Sequence, residues 1–200
     1  MTSDLTQAAA VVELAEAIVT TGAKTLAGLP GGPDANQVLA YDLAHAAAAV
    51  ATAHSLLDYG AKGDLEARIT QAFVADAVAE LASKIFGREA LWGVESGALD
   101  DAKEFLATYR DPEFLAELAD AGPGPRHLDK DFEPVQDAFR DFTEEQIAPR
   151  AEKIHRENAD IPEELISGLA EIGAFGLSIP EEYGGFGTGG ESEYLSLIHI

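Results

Sequence analysis

The stretch IPEELISGLAEIGAFGLSIPEEYGGFGTGG runs from Ile161 to Gly190. Pro162 opens a helix, and Glu163 and Glu164 fall in its first turn, where carboxylates favour the positive end of the helix dipole. Leu165, Leu169 and Ile172 form its buried face, Gly173 ends it, and AFGLSIP follows as a short apolar connection. GFGTGG, residues 185–190, then fits G-x-G-x-x-G, the pattern of loops that cradle phosphate.

The surroundings argue against that chemistry. A dinucleotide fingerprint needs a buried strand before the first glycine, a helix after the last, and an acidic residue about 20 positions on. The only strand candidate here is LSIP, the rest of the chain offers no alternating strands, and the sequence stops ten residues after Gly190. A kinase glycine loop would place a valine where Ser192 stands. The residues read instead as a turn in which Gly184 and Gly185 adopt positive φ and let the backbone pass close to a bulky neighbour.

Upstream, Phe132, Val135, Phe139 and Phe142 step by three and four, and Ile147, Ala151 and Ile154 extend the apolar stripe. This is a helix, and Pro149 should kink it, because proline removes a backbone donor and clashes with the preceding turn. Before it, AGPGPRHLD from Ala121 to Asp129 has no apolar periodicity and marks a domain boundary. The expected organisation is a helical block over 1–128 and a second over 129–200.

The first block is also helical. Ala8–Val19 is rich in strong helix formers and should end near Gly22, before the breaker cluster GLPGGPDAN. Leu39, Leu43, Ala46, Val50 and Ala53 mark one face of a helix over 37–57. Ile69, Phe73, Ala77, Leu81 and Ile85 fall four apart along a third, over 65–86, with Gly87 as its stop. A short glycine turn between the two long helices predicts an antiparallel hairpin. LDDAKEFLATY resumes the helical pattern, and Pro112 suits the first turn of a further short helix. The fold class is all-α.

Composition excludes several functions. The absence of cysteine removes disulfides, thiolate metal sites and cysteine nucleophiles. The net charge of −23, from 36 acidic and 13 basic residues, argues against nucleic acid or an anionic membrane as partner. Residues 1–128 hold 8 basic and 19 acidic side chains, and the shorter 129–200 segment holds 5 and 17, so it is the more densely acidic part. It reads as a solvated surface that resists aggregation. No basic residue precedes the first apolar stretch, and Glu13 and Glu16 interrupt it, as expected of a cytoplasmic chain.

Ile161 to Gly187, preceded by EEQIAPRAEKIHRE, resembles the N-terminal helical domain of the acyl-CoA dehydrogenase family. That pattern has a helix with a proline near its end, a Pro-Glu-Glu-Leu helix closing on glycine, then Pro-Glu-Glu-Tyr-Gly-Gly and a further glycine; the likeness covers about 129–197. In the family this glycine stretch is a structural connection. The resemblance implies FAD, an acyl-CoA substrate oxidised to an enoyl-CoA, an electron-transfer flavoprotein as acceptor and a homo-oligomer. In such enzymes a carboxylate removes the α-proton while hydride passes to the flavin. The family's β-rich domain and its C-terminal helical domain, with most flavin contacts and the glutamate base, would follow Ile200. No catalytic, cofactor-binding or metal residue is therefore assigned here. SEYLSL should open a further helix, whereas IHI departs from the family pattern and suggests a truncated reading frame or a partial chain.

Residues 43–93 resemble the helix pair of the family's C-terminal domain: a degenerate copy lacking the base, acting as packing or oligomer surface. Such an extension is similar to that of the methylsuccinyl-CoA dehydrogenase branch, which implies a branched dicarboxylic acyl-CoA. The competing reading is a non-catalytic, all-helical interaction module that docks a partner on its apolar faces.

The remaining candidates read as structural. His45 and His54 are nine apart, on nearly opposite helix faces, and cannot share a metal; His127, His155 and His199 are scattered. Trp92 and Tyr183, both beside glycines, are expected to anchor the core rather than stack on a cofactor. Glu181 and Glu182 are expected to be solvated turn carboxylates.

Overall fold

A computed structural model describes residues 5–128, 130 and 132–187. It separates into two compact units, Met1–Pro125 and Arg126–Ile200. The regular elements among the described residues are helical, with one isolated bridge pairing Pro180 and Gly187.

Unit 1 is built on α1 (Thr6–Gly28), α3 (Gln37–Gly60) and α4 (Asp64–Ile85), with the short α2 (Gly32–Ala35) between the first two. Its core joins Val12, Ala15 and Ile18 of α1, Leu39, Leu43, Ala46 and Val50 of α3, and Val74, Val78 and Leu81 of α4. Burying each of the larger aliphatic side chains contributes about 1.5–3 kcal/mol. The α3–α4 hairpin is antiparallel: the Thr70 hydroxyl donates to the Leu56 carbonyl at 2.7 Å near the turn, and Arg88 pairs with Asp42 at 2.9 Å at the far end.

The five α3 positions predicted to face inward are all buried. On α4, Leu81 and Ile85 are buried but Ile69, Phe73 and Ala77 are half-buried, and the packed face runs through Ala67, Thr70, Val74, Val78 and Leu81. A strict four-residue step turns about 40° further around the helix each time, so a straight buried face must mix threes with fours.

Helix α1 does not stop near Gly22 but continues to Gly28. Gly22 is buried inside it because the ring of Trp92, fully buried on the short α5 (Glu89–Trp92), occupies the space a side chain would need. A 3₁₀ turn at Asp100–Ala102 leads into α6 (Lys103–Tyr109), which buries Phe105, and then into α7 (Pro112–Asp120). Asp111 caps α7 by accepting from the Glu113 and Phe114 amides, with Pro112 in the first turn as expected.

Unit 2 starts with α8 (Glu133–Phe142), a π-helical turn (Thr143–Ile147) and α9 (Ala148–Glu157) in unbroken succession. The expected disturbance from Pro149 therefore takes the form of a widened turn just before it. A π-turn re-registers the backbone bonds where proline supplies no N–H. Asn158 (φ 47°) ends α9, and α10 (Glu163–Glu171) follows. Leu165 is buried, while Leu169 and Ile172 are half-buried. Phe139 and Leu177 form a small core with Leu128, Phe132, Val135, Ile172 and Ala174 around it.

Candidate functional site

The glycine-rich turn is a closed structure. Gly173 (φ 81°) ends α10, a 3₁₀ turn covers Ala174–Gly176, and the apolar connection continues through Leu177 to a second 3₁₀ turn at Glu181–Tyr183. LSIP forms no strand beyond its single bridge at Pro180. The amides that a phosphate would need are already committed. Gly184 donates to Glu181 at 2.9 Å, Gly185 to Pro180 at 3.3 Å, Phe186 to Gly176 at 2.8 Å and Gly187 to Ile179 at 2.8 Å. An anion-binding loop works by presenting unpaired N–H groups, so residues 184–187 do not cradle phosphate; residues 188–190 lie outside the described residues.

Of the two glycines expected at positive φ, only Gly184 (84°) adopts it. Gly185 is required for a different reason: a Cβ there would collide with the Ile179 carbonyl and side chain. The bulky neighbour that the turn passes is therefore its own incoming segment. Tyr183 is not a core anchor, being 77% exposed, whereas Trp92 is fully buried. The adjacent residue Phe186, 60% exposed, lies over Gly173 and Gly176 instead. Glu181 and Glu182 are exposed.

Between α9 and α10 runs an apolar groove of about 450 Å³. Ile147, Ile154, Ile161, Leu165 and Leu169 line it, with His155 as its one ionisable side chain. It can accept hydrocarbon but holds no acid–base pair. The histidines are dispersed: His45 lies 4.4 Å from the Tyr41 ring, and His54 meets Glu16 at 3.2 Å. No group of three potential ligands gathers among the described residues; His199 lies outside them. The described residues also fail to fit a flavin. The amides of 184–187 are committed, and among the described residues of unit 2 the buried side-chain donors without a hydrogen-bond partner are Gln136 Nε2 and Arg150 Nη1, the latter 3.9 Å from Glu164.

Unit 2 is thus a helix interrupted by a π-turn before proline, a second helix ended by glycine, and a self-closed Pro-Glu-Glu-Tyr-Gly-Gly turn. A family profile, the acyl-CoA dehydrogenase N-terminal domain, matches residues 129–199. Over 64 residues the chain is 48% identical to (2S)-methylsuccinyl-CoA dehydrogenase of Cereibacter sphaeroides, covering 32% of this chain and 12% of that protein. It is 38% identical over 56 residues to a 3-(aryl)acrylate reductase of Clostridium sporogenes, covering 28% and 15%. To glutaryl-CoA dehydrogenase of Desulfococcus multivorans it is 39% identical over 61 residues, covering 30% and 16%. The matched part thus spans less than a fifth of each relative. No described helix is long and apolar enough to cross a membrane.

Proposed function

We propose that this chain is the N-terminal portion of a cytoplasmic, FAD-dependent acyl-CoA dehydrogenase, which converts an acyl-CoA thioester to its enoyl-CoA. The observation that carries this reading is the family match of residues 129–199 on a unit with the family's two-helix and glycine-turn pattern. Catalytic power in such an enzyme comes from aligning thioester, base and flavin. In this reading those groups belong to residues beyond Ile200, and unit 2 contributes packing. An electron-transfer flavoprotein is the acceptor, and the enzyme is a homo-oligomer.

Residues 1–128 form a helical extension that packs against the enzyme or between its copies. α1 places Val12 and Ala15 in the unit 1 core and Glu13 and Glu16 outward, which supports a water-facing outer surface for this segment. The similarity to (2S)-methylsuccinyl-CoA dehydrogenase supports a branched dicarboxylic acyl-CoA as substrate.

A second reading, a non-catalytic interaction module, is favoured by one observation: Ile161, Phe175, Tyr183 and Phe186 of unit 2 are each at least 60% exposed. Such side chains mark docking where they form one contiguous apolar patch. Sequencing the gene through and beyond the Ile200 codon separates the two. The enzyme reading expects further codons for a β-rich domain and a second helical bundle, and a stop codon after Ile200 contradicts it.

A further inference from the structure

Unit 1 holds a second feature that the dehydrogenase reading does not use. A cleft of about 480 Å³ opens where the end of α4 and the segment leading into α6 come together. Ile85, Leu99 and Leu106 give it an apolar floor, and at its edge stands Phe86, which is 85% exposed. Glu89, Glu95 and Asp100 also line it. Its one basic lining residue, Lys103, is held by Asp100 at 2.8 Å, while Glu89 and Glu95 have no ion-pair partner among the described residues.

We propose that this cleft binds a small organic ammonium ion with an apolar substituent. Three independent features converge on that chemistry. The floor accepts hydrocarbon, and the exposed Phe86 ring at the edge can attract a cation. Two uncompensated carboxylates, together with the carbonyl end of the 22-residue α4, supply negative potential at the mouth. A metal ion would gain nothing from the floor or the ring, and an anion would be repelled. The volume of about 480 Å³ falls within the range of small-molecule sites, which directs the proposal to a small ammonium compound.

The test is a titration of benzyltrimethylammonium chloride into the isotopically labelled 200-residue chain at constant ionic strength, followed by amide chemical shifts. The expected result is saturable shifts centred on Phe86, Glu89, Glu95 and Leu99. Phe86→Ala and Glu95→Gln should each weaken binding about two- to fivefold. Both side chains are exposed, so far-UV circular dichroism should be unchanged. Benzyl alcohol, neutral and similar in size, should not saturate the site. Linear shifts spread over the acidic surface, or saturation indifferent to Phe86→Ala and Glu95→Gln, or equal binding of benzyl alcohol, would each overturn the proposal.

Discussion

The backbone of Gly22 lies against the indole of Trp92 so closely that a Cβ added there would sit 2.9 Å from the ring's Cε3 and 3.1 Å from Leu43 Cδ1. Alanine is favoured over glycine in a helix by about 1 kcal/mol, but overpacking a rigid core costs about 1–3 kcal/mol. Gly22→Ala should therefore lower the stability of unit 1, by up to about 2 kcal/mol after the offset. Trp92→Ala should cost more, about 3–5 kcal/mol. Urea unfolding followed by circular dichroism checks both; a stabilised Gly22→Ala chain would contradict the packing.

Thr70 ties the hairpin together from a fully buried position. Its hydroxyl donates to Leu56 of α3 at 2.7 Å, with the Glu66 carbonyl at 2.9 Å as the alternative acceptor within α4. Thr70→Val keeps the shape and removes the donor, so the expected loss is about 1 kcal/mol, read as a lower urea midpoint with an unchanged slope. Thr70→Ser, which keeps the hydroxyl, should retain the Leu56 bond.

In unit 2, a Cβ on Gly168 of α10 would lie 2.6 Å from the Phe142 ring of α8. Gly168→Ala should loosen the two helices, and a combined Gly168→Ala, Phe142→Leu chain should recover part of the loss. Such coupling is expected of residues in contact and is measured as a double-mutant cycle; strict additivity would show that the two do not meet.

Lys84 Nζ donates to Glu80 at 2.6 Å, one turn apart, and this hydrogen bond, with the lysine charge, holds the Glu80 carboxyl below its ordinary value. A carboxylate so depressed adds stability above its unfolded value, and that stability is lost as pH falls through the folded one. Glu80 is exposed and Lys84 half-buried, and as a surface pair one turn apart they are worth only about 0.3–0.5 kcal/mol. Lys84→Met should raise the Glu80 titration midpoint in a carboxyl-carbon NMR titration, and should cost stability at neutral pH but not in acid.

Much of unit 1 was legible because its helices carry mixed three- and four-residue apolar spacing, as in Leu39, Leu43, Ala46, Val50 and Ala53. What was hidden depends on partners distant in sequence. Gly22 reads as a stop until Trp92, far along the chain, is seen to cover it. In the first half of α4 the larger Ile69 and Phe73 suggest the buried face, but the smaller Ala67 and Thr70 occupy it, while Leu81 and Ile85 are buried as expected. Tyr183 and Phe186 stand equally beside glycines, and nothing local says which of them lies over the turn. The cleft beside Phe86 draws its lining from 82–106, where no periodicity joins the floor to the mouth. Rejection of the phosphate loop was legible from the missing strand, but its physical reason, the committed amides of 184–187, is visible only in three dimensions.

The central claim, that this chain opens a flavin-dependent acyl-CoA dehydrogenase, is tested most directly on the purified product of the gene's complete reading frame. Its visible spectrum should be recorded before and after anaerobic addition of (2S)-methylsuccinyl-CoA. The account predicts bound flavin that bleaches on addition of the thioester and recovers with an electron acceptor. A colourless protein, or bound flavin indifferent to this and every other acyl-CoA supplied, would contradict it.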